Sequence, residues 1–121
     1  MFRVAVCDSD SDNLCRLREL TARLPFRAAC ECFMDADAFL RTCAHTVFDL
    51  TLLNVLSAKE SFNRAVAIRT CLRSGALVLM TDDPWCITRA FRSQPDQFLF
   101  KPVCDEDFFE AVQTVLRQRC R

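Results

Sequence analysis

Strand-like and helix-like segments alternate five times along this chain, and no other feature limits its fold as strongly. The segment from Phe48 to Leu53 is apolar almost throughout, which is typical of a central parallel strand buried on both faces. After the first strand, leucines recur at helical spacing, at Leu14, Leu17, Leu20 and Leu24. This alternation predicts an α/β fold in which helices cover both faces of a parallel sheet.

The remaining elements follow from the same two periodicities and from the residues that start or end each segment. The predicted strands are Phe2 to Cys7, Ala28 to Phe33, Phe48 to Leu53, Ala76 to Met80 with Thr81 at its end, and Gln97 to Phe100. The predicted helices are about Leu14 to Leu24, Ala36 to Cys43, Glu60 to Leu72, Pro84 to about Arg92, and one that opens at Asp105. Asp35 is the expected N-cap of the second helix, and Gly75, the single glycine, is expected to end the third in a left-handed conformation.

Length, charge and hydropathy exclude several classes of protein. The 121 residues suit one domain, and the 16 basic and 16 acidic side chains cancel, so a direct nucleic-acid interface is not expected. No apolar stretch approaches the roughly 18 residues of a membrane span. The opening Met1-Phe2-Arg3-Val4 leads into a strand without the pattern of a secretion signal, so we expect a cytoplasmic protein that does not contact a membrane.

The chain has nine cysteines, an odd number without a C-x-x-C pair, which argues against a disulfide framework or a zinc site. We expect most of them to be free thiols that are buried as small hydrophobic side chains. A redox role is the alternative. Its best candidate is Cys120, which lies between Arg119 and Arg121 near an expected exposed terminus.

Four polar residues stand where predicted strands end, namely Asp8, Asn54, Thr81 and Lys101. The carboxyl ends of parallel strands share one edge of the sheet, and ligands of such sheets bind at that edge, where the strand order switches direction. We therefore expect these four side chains to form one site.

This set of residues resembles the site of response-regulator receiver domains. Those domains have an acidic cluster after strand one, a phosphoacceptor aspartate after strand three, a threonine after strand four and Lys-Pro after strand five. The resemblance runs nearly end to end, and it implies one receiver-like domain over 1–121, a flavodoxin-like (βα)5 three-layer sandwich with strand order 2-1-3-4-5. The stretches most similar to receivers of LytTR-type transcription regulators are Val4-Ala5-Val6-Cys7-Asp8, Ala90-Phe91 and Phe98-Leu99-Phe100-Lys101-Pro102.

The resemblance also identifies what this chain lacks. Asn54 stands where the family has its acceptor aspartate, and Ser9 stands where the family has a second acid that coordinates the metal. The loop 56–63 lacks the Met-Pro and Asp-Gly of the family. An amide is neutral and a poor nucleophile, and Mg²⁺ prefers carboxylate ligands. We therefore expect no phosphorylation of Asn54 and lost or weak Mg²⁺ binding, with Asp8 a weak ligand at most.

The other matched positions carry expectations of their own. Lys101 corresponds to the lysine that pairs with the acceptor, and Asp8 is its expected partner here because a partly buried ammonium needs one. Thr81 is expected to hydrogen-bond Asn54 or a water molecule, with an ordinary threonine at a strand end as the alternative. Phe98 holds the position of the aromatic that reports phosphorylation, with a half-buried packing aromatic as the alternative. The bond after Lys101 resembles the cis X-Pro peptide of the family.

Together these features imply a pseudo-receiver of two-component signal transduction, which regulates and is not an enzyme. It would bind a protein partner or a second copy through the face of the fourth helix, fifth strand and fifth helix, without phosphorylation. The alternative is the receiver arm of a LytTR-type DNA-binding regulator with residual or unconventional switching by metal, anion or cysteine redox chemistry. An enzyme is not expected, because the chain has no glycine-rich phosphate loop and His45, the single histidine, has no suggestive neighbours.

Overall fold

The structure, a computed structural model, describes residues 1–72 and 74–119. Within these residues the strands are β1 (Phe2–Cys7), β2 (Ala28–Phe33), β3 (Leu50–Asn54), β4 (Ala76–Thr81) and β5 (Gln97–Phe100). The helices of the same ranges are α1 (Ser11–Ala22), α2 (Ala36–Cys43), α3 (Lys59–Cys71), α4 (Cys86–Ala90), which a 3-10 turn at Phe91–Ser93 follows, and α5 (Asp105–Arg119). None of the helices in this described part of the chain combines the length and the apolar character needed to cross a membrane.

The strands pair in parallel, in the order β2-β1-β3-β4-β5. β3 is the central strand, and its Leu52 pairs with Val6 of β1 and with Val78 of β4. Leu50, Leu52 and Leu53 are all buried, as the apolar run predicts for a strand covered on both faces. The predicted flavodoxin-like (βα)5 fold with strand order 2-1-3-4-5 is confirmed.

A hydrophobic cluster on each face of the sheet joins the layers. α1 and α5 cover one face, where Leu17 and Phe108 are fully buried. α2, α3 and α4 cover the other face, where Phe39 and Ile68 are fully buried. Burial of this kind stabilises the fold by roughly 25 cal/mol per Å² of apolar area. The two clusters therefore hold the strands in place, and with them the polar residues at the strand ends.

Four elements differ from their predicted bounds. α1 begins at Ser11, because the Asp10 side chain caps it by accepting the Asp12 N–H, and it ends at Ala22. α3 spans Lys59–Cys71, one residue earlier than predicted at both ends.

α4 begins at Cys86 and not at Pro84, because Asp83 holds the chain in a turn before the helix. The Asp83 carboxylate accepts the Trp85 N–H at 3.0 Å, and its carbonyl oxygen accepts the Cys86 N–H at 3.0 Å. β3 begins at Leu50, later than predicted, because its ladder pairing with β1 begins only there.

Of the two residues predicted to mark helix ends, Asp35 does so and Gly75 does not. Asp35 caps α2 as predicted, and its Oδ1 accepts the Ala38 N–H at 2.7 Å. Gly75 has the predicted left-handed conformation, with φ of +89°, but it lies in the connection to β4, and Leu72 is the C-cap of α3. A Cβ atom at Gly75 would overlap the carbonyl oxygen of Phe48. Both the backbone conformation and this close approach therefore require glycine.

The cysteines are less buried than predicted. Of those in the described residues, Cys7 and Cys86 are buried, Cys30, Cys32, Cys43 and Cys71 are half-buried, and Cys15 and Cys104 are exposed. The prediction that most of them are buried is therefore wrong. The half-buried ones lie on the edge strand β2 and at the ends of α2 and α3, where the layers cover them only in part. Cys120, with its predicted redox role, lies outside the described residues.

Candidate functional site

An ion pair joins the carboxyl ends of β1 and β5. Lys101 Nζ donates to Asp8 Oδ2 at 2.7 Å, and the two side chains are 15% and 1% exposed, respectively. Asp8 follows β1 directly, and the backbone N–H of Lys101 donates to the carbonyl oxygen of Thr81 at 2.8 Å, which holds the lysine beside β4. The Lys101–Pro102 peptide is cis. The predicted pairing of Lys101 with Asp8 is confirmed, and it is almost closed to solvent.

Both carboxylate oxygens of Asp8 accept further hydrogen bonds. Oδ1 accepts the Asp10 N–H at 3.0 Å, and Oδ2 accepts from Asn13 Nδ2 at 2.8 Å as well as from Lys101. Asn13 is 7% exposed, and sequence reasoning missed it. The available signal was its place four residues before Leu17, on the buried face of α1, where a polar side chain needs a partner.

Asn54, at the acceptor position, is the last residue of β3 and is half-buried. Lys101 Nζ donates to Asn54 Oδ1 at 3.4 Å, which is longer than its bond to Asp8. Asn54, Asp8, Ser9 and Arg64 line a cavity of about 180 Å³ at this edge of the sheet. The structure therefore brings the acceptor position, the position of the missing second acid and the ion pair together.

A Mg²⁺ ion at this edge would need several oxygen ligands that are free to face it. Among the described residues, no three acidic, histidine or cysteine side chains are grouped so that they could hold a metal ion. Both oxygens of Asp8 accept hydrogen bonds, Asn54 Oδ1 accepts from Lys101, and Ser9 has only a hydroxyl group to offer. Of these three side chains Asp8 alone is a carboxylate, and Lys101 and Asn13 already donate to it.

Thr81 makes different contacts from those predicted. Its hydroxyl accepts the Asp83 N–H at 3.0 Å and donates to the Asp83 carbonyl oxygen at 3.2 Å. Thr81 is fully buried, so its hydroxyl needs a hydrogen-bond partner. Threonine side chains readily bond to backbone groups close by in the chain, and Asp83 is two residues away. In place of the expected bond to Asn54, Thr81 makes bonds that shape the turn between β4 and α4.

Exposed aromatic side chains lie immediately before α4, on the turn that follows it and on β5. Phe98 is half-buried and packs edge to face on Phe91, with ring centroids 5.5 Å apart. Phe100 is two residues further along β5, and side chains of a strand alternate, so it points from the same face of the sheet. Trp85, Phe91 and Phe100 are 86%, 60% and 48% exposed. We call these three residues the α4–β5 aromatic surface.

No protein-family model matches this sequence, and no curated protein does. Solved structures match over nearly the whole chain. A two-component response regulator from Clostridium difficile has a TM-score of 0.85 at 20% identity, with 98% of each chain covered. The signal receiver domain of an HD domain-containing protein from Pseudomonas fluorescens Pf-5 has a TM-score of 0.84 at 23% identity, with 97% of this chain and 95% of that chain covered.

The BeF3-activated receiver domain of DrrB, a Thermotoga maritima protein, has a TM-score of 0.80 at 21% identity, with 97% of this chain and 98% of that chain covered. The chain has the receiver fold. In this fold the Lys101–Asp8 ion pair and Asn54 lie beside the switch in strand order between β1 and β3, where open α/β sheets bind their ligands.

Proposed function

We propose that this chain is a response-regulator receiver domain that signals by protein–protein contact and does not undergo phosphorylation. It regulates a partner in the cytoplasm and catalyses no reaction. The observation that carries this proposal is the nearly buried ion pair between Lys101 and Asp8, beside an amide at the acceptor position. As the resemblance to LytTR-type receivers implies, such a domain can serve as the regulatory arm of a transcription regulator.

The first argument is the engagement of Lys101. In a phosphorylated receiver this lysine must follow the phosphoryl group, but here Asp8 holds its ammonium group at 2.7 Å in a nearly buried position. Separating the two charges would leave each without its partner in a nearly buried position, so Lys101 is expected to stay with Asp8. The Asn54 amide adds a neutral hydrogen-bond acceptor at 3.4 Å and no nucleophile.

The second argument is the charge of the site. Phosphoryl transfer needs cations that neutralise the charge developing on the phosphoryl oxygens. Asp8 and Lys101 already balance each other, and the Asp8 carboxylate that a Mg²⁺ ion would use also accepts from Asn13. A phosphoryl group would therefore meet neither an acceptor nor a bound cation at this edge.

The third argument concerns the partner. The α4–β5 aromatic surface exposes three large side chains, of which Trp85 and Phe91 flank α4 and Phe100 ends β5. Aromatic residues, Trp and Tyr above all, are enriched where protein interfaces gain most of their affinity. We assign this surface, together with the adjoining α5, as the site where a second copy of the chain or a protein partner binds.

A calorimetric titration tests the loss of the phosphorylation site. Mg²⁺ and then beryllium fluoride, a phosphoryl mimic, are added to the natural protein and to the Ser9→Asp/Asn54→Asp variant. We expect heat of binding only from the variant, in which both missing carboxylates are restored beside Asp8. Saturable binding of beryllium fluoride to the natural protein would contradict the proposal.

Sedimentation velocity tests the binding surface. We expect the natural protein to self-associate and the Phe91→Ser/Phe100→Ser variant to sediment as a monomer. Asn54→Ala should leave the association unchanged, and Val47→Ser, which alters a 63% exposed side chain outside the surface, is the matched control. Association that survives the aromatic substitutions, or that Asn54→Ala abolishes, would show that the assigned surface is wrong.

A further inference from the structure

Two cysteine sulfur atoms meet where α2 and α3 end. Cys43 is the last residue of α2 and Cys71 is the last residue of α3, 28 residues later in the chain. Their Sγ atoms are 2.6 Å apart. The helices return the chain to the amino ends of the parallel strands. The cysteine pair therefore lies at the opposite edge of the sheet from Asp8 and Lys101.

We propose that Cys43 and Cys71 form a reversible disulfide bond that ties α2 to α3. Such a bond needs about 2.0 Å between the sulfurs, so forming it needs a shift of only roughly half an ångström. The described cysteines make one other sulfur–sulfur contact, between Cys30 and Cys32 of β2, and it spans 4.0 Å. These two residues point the same way from one strand, so they are the matched control for the pair.

The surroundings of the pair favour a reduced resting form. Both residues are half-buried, and Cys43 packs against the hydrophobic cluster of α2, α3 and α4. Burial and the neighbouring Cys71 raise the pKa of the Cys43 thiol to about 12. Cys43 therefore stays protonated at neutral pH, and a reducing compartment keeps the two thiols apart until an oxidant reaches them.

The oxidant in this proposal is a low-molecular-weight disulfide of the glutathione class. One protein thiolate attacks it, which forms a mixed disulfide and releases one small thiol. The second protein thiol then attacks the protein sulfur of the mixed disulfide and passes its proton to the departing small thiolate, which forms the Cys43–Cys71 bond and releases the second small thiol. The two electrons and two protons that the protein loses are carried by the two small thiols.

The disulfide bond would affect the contacts between α3 and the segment that precedes β5. Arg69, two residues before Cys71 in α3, donates to the carbonyl oxygen of Gln94 at 3.3 Å and to Asp96 Oδ2 at 3.2 Å. Asp96 Oδ2 also accepts the Leu77 N–H of β4 at 2.8 Å. Fixing the end of α3 to α2 would therefore stiffen the segment that leads into β5, without any change at Asp8.

The test uses the 121-residue protein under native conditions in buffers of reduced and oxidised glutathione at increasing ratios. We expect oxidation to remove two free thiols and peptide mapping to recover a Cys43–Cys71 cross-link. Cys30→Ser/Cys32→Ser should form the same cross-link. Cys71→Ser and Cys43→Ala should each lose it. Far-UV circular dichroism checks that each variant is folded, so a missing bond is not confused with misfolding.

The oxidised protein should also melt higher than the reduced protein, by about 10 °C, because a closed loop of this length restricts the unfolded chain. This difference should disappear in Cys71→Ser. Absence of the cross-link at every glutathione ratio would overturn the proposal. So would its formation only after denaturation, or an oxidised protein that carries glutathione on Cys43 and Cys71 without a bond between them.

Discussion

The edge of the sheet that holds Asp8 and Lys101, here called the ion-pair edge, differs from the α4–β5 aromatic surface in how far its side chains are already engaged within the protein. At the edge, the Asp8 carboxylate and the Lys101 ammonium are satisfied by one another and by Asn13, and the carboxylate is 1% exposed. On the aromatic surface, Trp85 and Phe91 are 86% and 60% exposed and present their area to solvent.

This difference indicates which region holds the molecule together and which can bind. Polar groups that are satisfied inside the protein stabilise its fold and have little left for a ligand. Exposed aromatic side chains add little to stability and have their full area available to another protein. We therefore assign stability to the ion-pair edge and recognition to the aromatic surface.

The largest effect on stability is expected from breaking the ion pair. Lys101→Met leaves the buried Asp8 carboxylate without its counter-charge and should lower the free energy of unfolding by about 3 kcal/mol. Urea unfolding followed by circular dichroism measures the change. The matched control is Asp8→Leu/Lys101→Met, in which no charge is left unpaired, and it should recover most of the loss. A single variant as stable as the natural protein would contradict the stabilising role of the edge.

A smaller loss of stability is expected at Asn13. Asn13→Ala removes a buried donor to the Asp8 carboxylate and should lower the free energy of unfolding by about 2 kcal/mol. Asn63→Ala, at an exposed position of α3, is the control and should change it by less than about 0.5 kcal/mol. Equal effects at the two positions would mean that the network around Asp8 contributes little.

The smallest effect on stability is expected on the aromatic surface. Trp85→Ala should change the free energy of unfolding by less than about 0.5 kcal/mol, because the side chain is 86% exposed. The same substitution should weaken self-association by about 2 kcal/mol, or roughly thirtyfold. Unfolding and sedimentation experiments on one preparation measure both quantities. A variant that lost stability and kept its association would reverse the assignment of the two regions.

The sequence allowed the strand ends to be located, and with them Asp8, Asn54 and Lys101, because each follows an apolar run whose length sets the end of a strand. The Lys101–Asp8 pair followed from the rule that a buried charge needs a partner. The fold could be predicted as well, because strand-like and helix-like patterns of apolar residues alternate along the chain.

Other contacts depend on side-chain directions that periodicity does not contain. Thr81 turned to the backbone of Asp83 instead of Asn54, because the shape of a turn decides which partner is within reach. Asn13 was missed because the leucine pattern predicts a helix that begins only at Leu14, whereas α1 begins at Ser11. Cys43 and Cys71 meet only because α2 and α3 end side by side, which depends on the packing of two helices.

The central claim is that this receiver fold does not accept a phosphoryl group. The most direct measurement is the intact mass of the natural protein after incubation with acetyl phosphate and Mg²⁺, beside the Ser9→Asp/Asn54→Asp variant. The account predicts one added phosphoryl group on the variant, mapped to position 54, and none on the natural protein. A phosphoryl group on the natural protein, at Asp8, Asp10 or another acidic side chain, would contradict it.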